Sequence, residues 1–117
     1  MHVVAVSEWL SDLTKQSFLK DYPIQVIYNG IDLDVFKPAA NEIRRRFNIA
    51  EQDIMVLGVA TDWGAKKGLG DFVKLSKEQG IKVLLVGISD EIQKKLPKEI
   101  IPVSRTESQR ELAEFYS

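Results

Sequence analysis

Between two apolar segments the chain carries Gly58-Val59-Ala60-Thr61-Asp62-Trp63-Gly64-Ala65-Lys66-Lys67-Gly68, a run that joins glycines to hydroxyl, carboxylate and lysine side chains. A loop that leaves a buried strand and enters a helix in this way can hold a diphosphate. Backbone N–H groups and the positive helix end face the anion, glycines let it approach the main chain, and lysine supplies charge. The binding residues would then be Gly58, Lys67 and Gly68, with Lys66 as a second cation. The same residues read equally well as a solvated basic loop. Their spacing fits neither a Walker loop nor a Gly-x-Gly-x-x-Gly fingerprint, which removes ATP hydrolysis and a nicotinamide cofactor from the expectations. Zero cysteines and the single His2 exclude disulfides, thiolate metal sites and a histidine cluster, so no metal and no cofactor are expected.

The elements that must position this loop alternate along the chain. Residues 3–6 read as a strand, and Ser7 as the N-cap of a helix over 8–19 whose Trp9, Leu10, Leu13 and Ser17 form one stripe, with Trp9 expected in the core. A strand over 24–28 ends at Asn29-Gly30, where both residues tolerate positive φ and the chain can turn sharply as a hinge; Phe36 then anchors the exit and Pro38 stiffens it. Asn41 is the expected cap of a short helix through Phe47, on which Arg44, Arg45 and Arg46 form a solvated face. The almost wholly apolar run 54–60 reads as a strand buried on both faces, the mark of a parallel sheet.

A helix from Gly68 carries Leu69, Phe72, Val73 and Leu75 and is expected to stop at Gly80 as its C′ residue. A strand over 82–86 follows. Ser89 or Asp90 then caps a short helix with Ile92 and Leu96, ended by Pro97, and Ile100–Val103 is the next strand. Thr106-Glu107-Ser108-Gln109 matches a capping box, opening a helix with Leu112, Phe115 and Tyr116 facing inward. Strands alternating with helices define an α/β class with a Rossmann-like parallel sheet, flanking helices and right-handed crossovers. Trp63 is expected to cover the sheet and Asp62 to act as a turn residue.

The bulk properties narrow the partners. A chain of 117 residues supports one domain, or one and part of another. Sixteen basic and seventeen acidic residues, giving a net charge of −1 with both signs scattered, argue against nucleic acid. The apolar runs fall far short of the ~20 residues of a membrane span, and residues 1–6 lack the pattern of a secretory signal. The expected setting is cytoplasmic.

These motifs, taken in order, resemble the retaining group-1 (family-4) glycosyltransferases, which have two Rossmann-like domains facing a cleft in the arrangement called GT-B. The junction Asn29-Gly30-Ile31-Asp32 through Phe36 and Pro38 resembles the family's interdomain hinge, and Val6-Ser7-Glu8-Trp9-Leu10 the last strand and helix of its acceptor domain. Gly58 and Lys67-Gly68 match the strand glycine and the Lys-Gly pair of its donor domain, so the resemblance implies that Lys67 binds the donor's diphosphate. Val59 stands where the family often has a second phosphate-binding arginine, a departure for which Lys66 could partly substitute. Val83-Leu84-Leu85-Val86-Gly87 resembles the second donor strand, whose closing glycine lines the nucleotide side of the cleft. Val103, Arg105 and Thr106 fall in the segment that borders the nucleobase, and the helix from Glu111 resembles the one before the catalytic region.

The resemblance divides the chain into an acceptor-domain tail at 1–30, a linker and short helix at 31–52, and the first half of the donor domain at 53–117. It implies transfer, with retention and without a metal, from a nucleoside diphosphate sugar to a glycan or lipid-linked acceptor, in a cytoplasmic enzyme peripheral to the membrane. The family's pair of glutamates separated by seven residues is expected beyond Ser117. Glu91 with Glu99 and Glu99 with Glu107 have that spacing, but Pro97 interrupts the first pair and a strand the second, and both read as accidents of an acid-rich composition. The chain is therefore expected to be an inactive, self-associating piece of a longer enzyme. The rival expectation is a non-catalytic, flavodoxin-like module that binds a phosphate ligand or a protein.

Overall fold

A computed structural model describes residues 1–38 and 42–117, with the backbone alone for Ala65. The chain is α/β, with every strand pair parallel, and it divides into two compact units at Asp32 and Leu33. The Asn41 cap lies outside the described residues.

The first unit pairs β1 (Val3–Ala5) with β2 (Ile24–Val26) through α1 (Glu8–Lys15). Ser7 caps α1 as its type predicts, its Oγ accepting the Leu10 N–H at 3.2 Å. The helix stops four residues short of the expected end because hydroxyls compete for its carbonyls. Thr14 Oγ1 donates to Leu10 O, Ser17 Oγ donates to Thr14 O, and Ser17 Oγ accepts the Leu19 N–H, which turns the chain out of the helix. The buried helical residue is Ser11, and Trp9 is 69% exposed. Trp9 stands about 200° round the helix from Ser11, so the face that meets the sheet is the small one and the expected core position of Trp9 is corrected. Asn29 and Gly30 are exposed, and neither has a positive φ, so the left-handed turn expected there is not formed.

The second unit is a three-layer sandwich around β3 (Ile54–Val59), β4 (Ile81–Val86) and β5 (Ile100–Val103), paired in that order. Alternation along each strand sorts the side chains into two cores. Met55, Leu57, Val59, Leu84, Val86, Ile101 and Val103 face α2 (Ile43–Arg46) and α5 (Gln109–Tyr116), from which Ile43, Leu112 and Phe115 descend. Val56, Val83, Leu85 and Ile100 face α3 (Leu69–Leu75) and α4 (Asp90–Gln93), which contribute Leu69, Phe72, Val73 and Ile92. Val83, Leu84, Leu85 and Phe115 are the largest fully buried side chains. Each contributes about 1.5–3 kcal/mol by leaving water, so the middle strand β4 carries the unit.

Residues 31–52 do more than link. Ile43 and Ile49 are buried in the core with Phe47 packed against them, and Phe36 meets the ring edge of Tyr116 at 6.3 Å. Asn48 takes the left-handed conformation that ends α2, a role to which its short amide side chain is suited. Arg44 leaves the solvated face predicted for it: its Nη1 donates to Ala50 O at 2.9 Å and Asp53 O at 3.0 Å, stapling α2 to the approach of β3. Arg45 pairs with Glu42 in solvent, and Arg46 lies over the Phe47 ring.

Two helix ends also differ from expectation. Ser76, its hydroxyl bonded to Val73 O, closes α3, and Gly80 instead makes the left-handed turn into β4. The capping box at α5 is Ser108 with Glu111: Ser108 Oγ accepts the Glu111 N–H and Glu111 Oε2 accepts the Glu107 N–H, two residues beyond the Thr106-based box. Tyr116 follows Phe115 by one residue and is accordingly turned outward, 59% exposed.

Arg44→Ala should cost about 1–3 kcal/mol, since two half-buried carbonyls lose a charged donor, whereas Arg45→Ala should stay within about 0.5 kcal/mol. Urea denaturation of the two variants checks this; equal midpoints would show that Arg44 is no staple.

Candidate functional site

Open α/β sheets collect ligands at the carboxyl ends of their strands, and that is where the second unit has a cavity of about 440 Å³. Its walls come from the turn after β3 (Val59, Ala60, Thr61), the end of β4 (Val86, Gly87), the segment after β5 (Arg105, Thr106, Glu107) and the first turn of α5 (Ser108, Gln109, Leu112).

Gly87 is the residue without which this geometry fails. Its φ is +88°, and a Cβ there would collide with the Ala60 carbonyl. Only glycine lets the end of β4 come this close to the turn after β3. The neighbouring carbonyls are doubly engaged. Val86 O accepts Ala60 N–H at 3.2 Å and Trp63 Nε1–H at 2.9 Å, while Val103 O accepts both Gly87 N–H and Ile88 N–H at 3.0 Å. The main-chain acceptors behind the cavity are thus satisfied internally, and recognition falls to side chains and to N–H groups.

The predicted site residues divide between two places. Gly87, Arg105 and Thr106 line the cavity. Val103 is buried in the core and takes part through its carbonyl alone. Gly58 faces the opposite side of the sheet, where a Cβ would come within 2.7 Å of both Leu85 Cδ2 and the Trp63 ring; its role is to let Trp63 and Phe72 lie against β3. Lys66 and Lys67 belong to an exposed 3-10 turn, Ala65–Lys67, and Gly68 adopts φ +70° before α3; none of the three lines the cavity. Trp63 covers the sheet as expected, 5% exposed and edge-on to Phe72 at 5.5 Å.

Glu107 and Gln109 of the site were not singled out as ligands from sequence. The N–H groups of Thr61, Asp62, Trp63 and Gly64 have no acceptor among the described residues, and of these four residues Thr61 lines the cavity. Arg105 and Glu107, both solvent-exposed, line the cavity and form no ion pair with a described group. Gln109 adds an amide to the same wall. The signal for Glu107 was its place four residues after the end of β5, where it was read as capping chemistry and as half of an accidental glutamate spacing. Together these groups can hold a flat, polar-edged ligand against the apolar wall of Val59, Ala60, Val86 and Leu112, with an anionic extension toward the turn at Thr61.

The sequence matches no protein-family model and has no significant match among curated proteins.

Gly87→Ala should destabilise the second unit by at least about 2 kcal/mol, through left-handed strain and the steric conflict with Ala60. A denaturant midpoint within error of the parent would mean that the two turns need no close approach.

Proposed function

We propose that the chain is part of a retaining, nucleotide-sugar-dependent glycosyltransferase of the GT-B arrangement, the first unit coming from the acceptor domain and the second from the donor domain. The observation that carries this reading is the cavity at the carboxyl ends of three parallel strands, pinned by Gly87 and walled by Arg105 and Thr106. The topology supports it as well. The helices α3 and α4 cover one face of the sheet and α2 and α5 the other, an arrangement compatible with a doubly wound nucleotide-binding sheet.

In this reading the nucleoside occupies the cavity and the diphosphate extends over the turn after β3. The free N–H groups of Thr61 to Gly64 would meet its oxygens, and the exposed Lys66 and Lys67 would supply charge as the sugar's bond to the phosphate breaks. Arg105 and Thr106 would border the base. The enzyme would be cytoplasmic and would pass the sugar to a glycan or a lipid-linked acceptor at the membrane surface. No helix among the described residues is long and apolar enough to cross a membrane. In this reading the 117 residues, holding only part of each domain, would bind the nucleotide without transferring sugar.

Calorimetric titration of the chain with GDP, UDP and ADP tests the reading. At least one should bind, and Arg105→Ala should weaken it by about 10- to 100-fold, the worth of one charged hydrogen bond. Absence of binding by all three would favour the interaction-module alternative, and binding indifferent to Arg105→Ala would move the ligand out of this cavity. In an enzyme containing the chain, Lys67→Ala should lower turnover by roughly 10²-fold; unchanged turnover would remove Lys67 from the diphosphate site.

A further inference from the structure

We infer that Trp63 is a positioning residue for the cavity: its indole N–H, held by the Val86 carbonyl, fixes the loop after β3 and so sets the wall at Ala60 and Thr61 against which a ligand lies. That the ligand is a nucleotide rests on the reading above; that Trp63 holds the loop does not. Little else holds it. Thr61, Asp62, Gly64, Lys66 and Lys67 are exposed, and the main-chain bond from Lys67 N–H to Gly64 O, at 3.0 Å, stays within the loop. Among the described residues from Thr61 to Lys67, Trp63 is the one buried side chain, 5% exposed, and its hydrogen bond is the one that runs from the loop to the sheet.

The surroundings of the ring make the hold specific. On the face of the sheet away from the cavity, the indole fills the space left by the missing side chain of Gly58, packs with Val83, Leu85, Ile88 and Ile100, and meets the edge of Phe72 at 5.5 Å. Its N–H then donates at 2.9 Å to the carbonyl that also accepts the Ala60 N–H, at a longer 3.2 Å. Val86 thus grips the chain at two points, Ala60 and Trp63, and Thr61 between them belongs to the cavity wall. A chain held at one point can pivot about it; a second point removes that freedom. Movement toward β4 is already blocked, because the Ala60 carbonyl lies against Gly87 where no Cβ would fit. The indole bond opposes the remaining movement, away from the sheet. Burial of the ring supplies most of the energy, and the directed N–H sets the position of the loop.

Native-state hydrogen exchange, followed by NMR on the intact chain, tests the hold without any ligand. In the parent, the Trp63 indole N–H and the Ala60 amide should open in one event, with protection factors within about threefold of each other. Trp63→Phe keeps a ring in place and removes the N–H, so its Ala60 amide should lose about tenfold protection relative to the amides of β4. Phe72→Leu loosens the same cluster without touching the hydrogen bond and should lower Ala60 and β4 protection alike. An Ala60 amide that opens independently of the indole in the parent, or responds equally in the two variants, would overturn the assignment; the parent comparison decides by itself if Trp63→Phe does not fold. In calorimetry, whichever of GDP, UDP and ADP binds the parent should bind Trp63→Phe about tenfold more weakly and Phe72→Leu within about twofold of the parent. Equal affinity for the parent and Trp63→Phe would likewise overturn it. If none of the three binds the parent, the nucleotide reading falls and hydrogen exchange alone decides on Trp63.

Discussion

The second unit depends on what happens at one carbonyl, that of Val86. It is the last residue of the central strand, and its oxygen accepts the Trp63 indole N–H and the Ala60 N–H together. The indole could not reach it if the sheet were not bare at Gly58, where Trp63 and Phe72 close over the missing side chain. A buried indole without an acceptor would cost the unit as much as its ring burial contributes, so the ring, the glycine and the carbonyl form one condition. Once it is met, the loop after β3 is held down on one face of the sheet while the turn at Ala60 is left to shape the cavity on the other.

The two units solve the problem of covering a parallel sheet to different degrees. The second buries β4 completely between two helix layers. The first has two strands of three residues and one short helix, and its buried side chains are Ala5 and Ser11. Trp9, Phe18 and Tyr28 are exposed. Two strands with so small a core are marginal alone, so the first unit holds far less of the chain's stability than the second.

The buried elements were the legible ones. β3, β4 and β5 are runs of apolar residues bounded by polar turns, and nothing competes with that pattern; Ser7 likewise had a free helix end and no rival acceptor. The misreadings have two causes. Trp9 and Tyr116 were placed on inward stripes from spacing, but about 100° of helical rotation per residue decides which of two neighbours faces inward, and that rotation is set by where the helix meets the sheet. At α1 the contact selects Ser11, at α5 Phe115. Arg44 was read as solvated because its acceptors, the carbonyls of Ala50 and Asp53, are backbone groups that leave no mark in composition. Thr14 and Ser17 showed hydroxyls capable of ending α1, yet their competition for its carbonyls depends on a chain already turning away.

The site was half legible for a related reason. Sequence marks positions where the main chain must do something unusual, so Gly87 and the polar run after β5 stood out. It does not show which side of a strand a residue takes once a bulky neighbour has claimed the other. Gly58 looked like a ligand glycine and is a packing glycine, because Trp63 lies on its face. Val59, one residue on, faces the cavity and leaves an apolar wall where a guanidinium would have made a second cation. With Val59 there, the charged residues of the lining are Arg105 and Glu107, one of each sign, so the character of the wall is set by its pattern of donors and acceptors more than by net charge.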